Sequence, residues 1–219
     1  MAIVLRIQRS KRLVLMMGLI VALAAPVHAA TVEYDVALNT SSLTGTSGYL
    51  DLQFNPGTIP GTPGAQATIS RFGGDAILQN LGPTNGTGDV TGALPGDLVF
   101  HNTTQFNDFF QQVTFGSSTS FHLNFNGAFL TALSGAHTAF SVSLYDADGV
   151  TPLLTTDPSG ALMIFDLAPG GGVAPDIFNP SVVTVAAVPL PAAAVLFPTG
   201  LSLLAFAYRR FSGNANVVV

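Results

Sequence analysis

Apolar and polar residues alternate along several short stretches in the middle of the chain. From Thr31 to Leu38, every second side chain is apolar and its neighbours are mostly polar. The same period of two recurs over 49–54, 109–115 and 139–145, where Gln111 is the exception. Successive side chains of a strand point to opposite faces, so this pattern predicts strands with one buried and one wet face.

A turn pattern lies at the centre of residues 119–133. Asn126-Gly127 separates two apolar stretches, and this dipeptide readily adopts the positive φ angles of a type I′ turn. The segment is therefore predicted to form a tight hairpin. Residues Thr103 to Gln112 could instead form a short amphipathic helix, which leaves the strand over 109–115 open.

Stretches rich in glycine and proline separate the alternating segments, notably 55–64, 82–92 and 169–172. Short strands with frequent turns are typical of an antiparallel β-sandwich. We expect residues 30–187 to form one all-β domain of jelly-roll type with about eight to ten strands.

The amino-terminal segment has the three-part layout of a secretory signal peptide. Basic residues occur between 6 and 12, an uncharged apolar run covers 13–25, and small residues follow at Val27, Ala29 and Ala30. The alternative is an uncleaved membrane anchor. A helix of about 13 residues rises only about 20 Å, however, which is too short for the roughly 30 Å of a bilayer core. We therefore expect a signal peptide over 1–29, cleaved by signal peptidase after Ala29 or Ala30.

A second apolar run lies near the carboxyl terminus. From Ala192 to Tyr208 there are 17 residues without a charge, followed by Arg209 and Arg210. This length is at the lower limit for a membrane-spanning helix, and the arginines would remain on the cytoplasmic side. The pattern predicts an exported domain, one transmembrane helix and a cytoplasmic tail over 211–219.

The order of these carboxy-terminal features resembles a known sorting signal. Val188-Pro189-Leu190-Pro191-Ala192, a short hydrophobic helix and Arg209-Arg210 together resemble the PEP-CTERM signal in its VPLPA form, over residues 188–210. The two prolines prevent a regular helix in the motif and favour an extended backbone that a protease could bind. The tail after the arginines is nine residues long, whereas such signals usually end within a few, so its effect on processing stays open.

The resemblance implies export by a Gram-negative bacterium, transient anchoring in the inner membrane, and processing by the membrane protease exosortase. It would make residues 188–192 the recognition and cleavage motif, and Arg209 and Arg210 the stop-transfer charges. It also implies a final location at the cell surface or in the extracellular matrix, because proteins with this signal accompany exopolysaccharide in biofilms.

Charge separates the middle of the chain from its ends. Residues 31–188 contain Arg71 as their one Lys or Arg and all 12 acidic residues, a net charge of −11. Such a domain does not bind nucleic acid, and it would repel an acidic polymer unless divalent cations bridged the two. The chain has no cysteine, so the domain must be stable without disulfides.

The one calcium candidate is Asp146-Ala147-Asp148-Gly149, which resembles the first half of a calcium-binding loop. In that register Val150 offers no side-chain oxygen, and Thr151 stands where the sharp turn needs glycine. A turn after the strand that ends at Tyr145 explains the same residues without an ion.

Catalytic motifs are missing from the middle of the chain. His101, His122 and His137 are not spaced to converge on a metal, and His122 is expected to face solvent. The sequence contains no Gly-x-Ser-x-Gly elbow and no phosphate-binding loop. We therefore expect no cofactor, no metal other than the calcium candidate, and no enzymatic activity, although a hydrolase with a carboxylate pair or a Ser-His pair stays an alternative.

These features predict an exported, non-enzymatic protein of the cell surface or extracellular matrix. The alternative is a carbohydrate-binding module of the cell envelope, since asparagine and aspartate can hydrogen-bond sugar hydroxyls. Few aromatic side chains are available for such binding, because tryptophan is absent and the domain has only Tyr34, Tyr49 and Tyr145.

Overall fold

The computed structural model describes residues 31–80 and 85–189. Within these ranges the chain forms thirteen strands and two short 3-10 helices, Ser41–Leu43 and Ala128–Leu130. The strands are β1 (Val32–Asn39), β2 (Ser47–Pro56), β3 (Ala65–Gly74), β4 (Ile77–Leu78), β5 (Gly86–Thr87), β6 (Val90–Gly92), β7 (Leu98–His101), β8 (Asp108–Thr114), β9 (Ser118–Gly127), β10 (Thr138–Asp146), β11 (Ala161–Ala168), β12 (Gly172–Ile177) and β13 (Val183–Ala187).

The strands form two sheets in which neighbouring strands run antiparallel. In the described residues, the six-stranded sheet has the order β13-β1-β9-β3-β7-β6, and the seven-stranded sheet has the order β12-β11-β10-β2-β8-β4 with β5 also paired to β8. This confirms the antiparallel β-sandwich. The total of thirteen strands exceeds the expected eight to ten. The excess consists of short strands, since β4, β5, β6 and β7 have only two to four residues each.

Phenylalanine rings from the two sheets meet in the core. The ring centre of Phe125 in β9 lies 5.5 Å from that of Phe165 and 5.9 Å from that of Phe140. Phe140 and Phe165 belong to the opposite sheet. All three side chains are fully buried. Burying one such side chain stabilises the fold by roughly 1.5–3 kcal/mol, so the inward-facing apolar positions supply the main driving force for the sandwich.

The alternating segments form the expected strands. They correspond to β1, β2, β8 and β10, and their apolar positions face the core. The alternative helix over 103–112 is wrong, because Asp108–Thr114 is a strand. Gln111 also faces inward and is buried, and its amide oxygen accepts a hydrogen bond of 2.9 Å from Asn85 Nδ2. A satisfied amide can therefore occupy an apolar position of the pattern.

The predicted hairpin over 119–133 is also wrong. Strand β9 continues to Gly127 and is paired on both sides, with β1 and with β3. Gly127 has φ 124° and ψ −173°, and a Cβ atom there would lie 2.6 Å from the carbonyl oxygen of Gly64. Glycine is thus needed for a close approach to β3. The next residues form a 3-10 helix whose Phe129 is buried, so they are not available as a returning strand.

The first and last strands of the sandwich lie side by side. Tyr34 of β1 pairs with Ala187 of β13, and the Val188 amide donates to the Glu33 carbonyl oxygen at 2.9 Å. The chain therefore enters and leaves the sandwich at the same end of one sheet. The predicted signal peptide, including Val27, Ala29 and Ala30, lies outside the described residues, and so does the predicted transmembrane helix. The helices that the structure describes are all too short to cross a membrane.

Candidate functional site

A groove crosses the outer face of the six-stranded sheet. Its volume is about 310 Å³, and residues of β1, β3, β9 and β13 line it. The polar lining residues are Asp35, Arg71, Ser120, His122 and Thr184. A mainly apolar concavity with a few convergent polar groups is the usual form of a small-molecule site, and this volume is at the small end of that range.

His122 occupies the centre of this polar set. Its side chain points away from the core but is only 8% exposed, so the expected contact with solvent is wrong. The Nδ1 atom lies 2.9 Å from Asp35 Oδ1, and Nε2 lies 3.5 Å from Glu33 Oε2. Both carboxylates belong to β1, the neighbour of β9, and Asp35 is the direct cross-strand partner of His122.

Arg71 approaches the same carboxylate from β3. It lies in an irregular part of that strand, between Ser70 and Gly73, with φ 52°. Positive φ is uncommon for a residue with a side chain, and a bulge redirects the side chain that it carries. The guanidinium lies 3.5 Å from Asp35 Oδ1, and both side chains are largely exposed. The groove therefore presents the Arg71 guanidinium to solvent, beside a largely buried imidazole ring.

A different arrangement lies on the outer face of the seven-stranded sheet. Asp51 of β2 is only 3% exposed, and its Oδ2 atom accepts a 2.8 Å hydrogen bond from Gln53 Nε2. Asp108, at the start of the neighbouring strand β8, lies beside it. Burial, together with a hydrogen bond to Asp51 and the Asp51 charge, raises the pKa of Asp108 to about 8. Burial also raises the pKa of Asp51.

Aromatic side chains lie next to this carboxyl pair on the same face of the sheet. Tyr49 and Phe110 are stacked with ring centres 4.5 Å apart, and Tyr145 lies 6.0 Å from Phe110. Burial raises the pKa of Tyr145, and the charges of Asp51 and Asp108 raise it further. The turn at Gly149 covers the rings, since a Cβ atom there would lie 3.6 Å from both Phe110 and Tyr49. The pair thus lies beside a small aromatic cluster outside the main core.

The calcium candidate forms a hydrogen-bonded turn. Asp148 Oδ1 accepts the amides of Val150 and Thr151, each at 2.9 Å, and Oδ2 accepts the Thr151 hydroxyl at 2.6 Å. These hydrogen bonds, led by those from Thr151, lower the pKa of Asp148. The Gly149 amide donates to the Asp146 carbonyl oxygen at 2.9 Å. This is the turn after Tyr145 that the sequence offered as an ion-free explanation.

Each of the three histidines contacts a different carboxylate. His101 lies 3.5 Å from Asp89, His137 lies 2.7 Å from Asp166, and His122 contacts Asp35. Residues 31–80 and 85–189 contain no cluster of three or more histidine, aspartate or glutamate side chains placed to hold a metal ion.

Sequence reasoning missed the Asp51–Asp108 pair. Asp51 stands at an ordinary outward position of an alternating strand, and Asp108 begins another strand 57 positions later. Only the register, which places Asp51 opposite Phe110 and Gln53 opposite Asp108, makes the two carboxyls diagonal neighbours.

The sorting motif lies at the boundary of the described residues. Val188 and Pro189 are described, whereas Leu190, Pro191, Ala192, Arg209 and Arg210 are not. Compared with known proteins, the chain matches no family model, no curated protein and no solved structure.

Proposed function

We propose that this chain is an exported, non-enzymatic protein of the cell surface or extracellular matrix, sorted by its PEP-CTERM-like carboxyl terminus and associated with exopolysaccharide. One structural observation supports the proposal. Strand β1 begins at Val32, directly after the predicted signal-peptide cleavage site, and β13 ends at Ala187, directly before the motif over 188–192. The sandwich therefore occupies the interval between the two predicted processing sites.

The geometry of the two ends fits such a pathway. Since β1 and β13 are paired, both predicted processing sites would adjoin the same end of the six-stranded sheet. Only Pro189, Leu190 and Pro191 separate Val188 from the start of the predicted membrane helix at Ala192. The four Cα–Cα steps from Val188 to Ala192 span at most about 14 Å. During sorting, the sandwich would thus lie close to the membrane surface.

The motif can be tested in a host that produces an exosortase. The double variant Pro189→Ala/Pro191→Ala removes the feature that prevents a helix in the motif, and Pro158→Ala removes a proline from an exposed turn as a matched control. Wild type and P158A should lose the carboxy-terminal segment and leave the inner-membrane fraction, whereas the double variant should keep that segment and remain there. Equal processing of all three proteins would contradict the proposal.

A second candidate function, carbohydrate binding, is favoured by the groove beside Arg71. Its guanidinium and the hydroxyls of Ser120 and Thr184 can hydrogen-bond a sugar unit, and its volume of about 310 Å³ suits one residue of a polysaccharide. Retention of the exported protein on the host exopolysaccharide tests this role. Arg71→Ala should reduce retention and Thr114→Ala, on the other sheet, should not. Equal retention of both variants would assign any polymer binding to another surface.

A further inference from the structure

The two carboxyl groups on the seven-stranded sheet have an unusual environment. Asp51 Oδ1 and Asp108 Oδ1 are both buried, and as carboxylate oxygens they have no hydrogen-bond donor. Two adjacent buried carboxylates would leave two orphan acceptors and two like charges in a poorly solvated place, and either feature alone is costly. Something that is positively charged, or a proton, must therefore lie between them.

A single proton between the carboxyl groups satisfies both oxygens at once. One group becomes a hydroxyl donor, and the other remains a charged acceptor. Asp51 already accepts the Gln53 amide at 2.8 Å, which stabilises its charged form. In the described part of the chain, Asp108 has no comparable donor, so the proton belongs on Asp108.

The groups around the pair do not supply a compensating cation. The titratable side chains that face it are Tyr49 on β2 and Tyr145 on β10, and the nearby turn adds Asp146 and Asp148. Neither a tyrosine nor an aspartate can carry a positive charge. Among the described residues, no basic side chain affects the pKa of either member of the pair.

We propose that Asp51 and Asp108 share one proton at neutral pH, and that this hydrogen bond fastens β8 to β2 and is lost in alkali. The strands beyond β8, namely β4 and β5, have two residues each. Little pairing therefore holds β8 from its other side. Full ionisation of the pair places one negative charge on β2 and one on the neighbouring strand β8. Their repulsion weakens the pairing of these two strands.

The direction of the pH effect follows from the raised pKa of Asp108. The folded state keeps a proton that the unfolded chain releases near pH 4, so the stabilisation is complete below that pH. It is lost progressively as the pH rises to about 8. Over this interval one extra bound proton makes the unfolding equilibrium constant rise by up to about tenfold per pH unit.

The test compares the full chain, purified in mild detergent, with Asp108→Asn, Asp51→Asn and the exposed control Asp97→Asn. In the wild type, ¹³C-carboxyl NMR should show one aspartate with a midpoint near pH 8. Asp108→Asn should lack this titration and D97N should keep it. Urea unfolding should show that wild type and D97N lose stability between pH 6 and pH 8, while D108N, whose amide still donates to Asp51, stays constant.

Hydrogen exchange locates the effect. After correction for intrinsic rates, the amides of β8 should lose protection between pH 6 and pH 9, and those of β9 should not. Three results would overturn the proposal: titration of every aspartate below pH 5, the same pH dependence in D108N and D51N as in wild type, or a rise in wild-type melting temperature with millimolar Ca²⁺ or Mg²⁺ that D108N abolishes. The last result would assign the pair to a divalent cation.

Discussion

The outward-facing carboxylates of the two sheets have opposite kinds of neighbours. On the six-stranded sheet, Asp35 and Glu33 flank the imidazole of His122 and the guanidinium of Arg71 approaches from β3. On the seven-stranded sheet, Asp51 accepts a hydrogen bond from the neutral Gln53 amide and lies beside another carboxyl group, Asp108. The comparison shows that the partner across the strand, and not the position in the alternating pattern, determines what an outward-facing carboxylate does.

The largest effect should come from the core that supports both faces. Phe125→Ala removes a fully buried ring that packs against both sheets, and we expect a loss of about 3–5 kcal/mol in the free energy of unfolding. Because no charge changes, the loss should be the same at pH 6 and pH 9 in urea titrations. A strongly pH-dependent loss would show that the core and the outer faces are not energetically separate.

Removing the imidazole from the six-stranded face should have the next largest effect. His122→Ala leaves Asp35 and Glu33 without their shared partner and opens a gap in the groove, and we expect a loss of about 1–3 kcal/mol. His122→Asn retains a donor at the same place and should lose less. Equal losses in urea unfolding would mean that packing alone, and not the contact with the carboxylates, accounts for the burial of His122.

Asp75 shows a third way to stabilise a carboxylate. The amides of Ser117 and Ser118 donate to it at 2.9 and 2.8 Å, and these bonds lower its pKa to about 2. Its contribution is therefore complete above about pH 4 and is lost as the pH falls towards 2. Asp75→Asn should reduce stability at pH 6 and flatten the decline below pH 4. If these hydrogen bonds did not form, acid unfolding curves of the variant and the wild type would show the same loss of stability below pH 4.

The smallest effect should come from Arg71. Its ion pair with Asp35 has a separation of 3.5 Å, and both side chains are mostly exposed. Exposed pairs of this kind contribute about 0–1 kcal/mol. Arg71→Ala should thus leave thermal and urea unfolding nearly unchanged, while it reduces retention on polysaccharide. A large loss of stability would show that the groove is a structural feature and would weaken the carbohydrate-binding candidate.

The strands were predictable because burial imposes a period of two on their sequence. Leu50, Leu52 and Phe54 had to share a face, and they are all buried. The hairpin at Asn126-Gly127 failed because local turn chemistry cannot show that β9 is a central strand, paired on both sides. Gly127 meets a steric need of the β3–β9 pair and does not form a turn.

The burial of polar side chains on the outer faces could not be predicted from the sequence for a related reason. His122 and Asp51 both stand at outward positions, where alternation predicts contact with water. Their burial depends on the neighbours that the register brings alongside, from strands far away in the chain. The turn at Asp146–Thr151 was predictable, because its hydrogen bonds connect residues only a few positions apart.

We propose that both apolar ends are targeting segments that are removed from the sandwich between them. Intact-mass and terminal-peptide mass spectrometry of the protein recovered from its native host tests this most directly. We expect an amino terminus at Ala30 or Thr31 and a carboxyl terminus within residues 188–192. Recovery of the whole 219-residue chain, with both ends still attached, would contradict it.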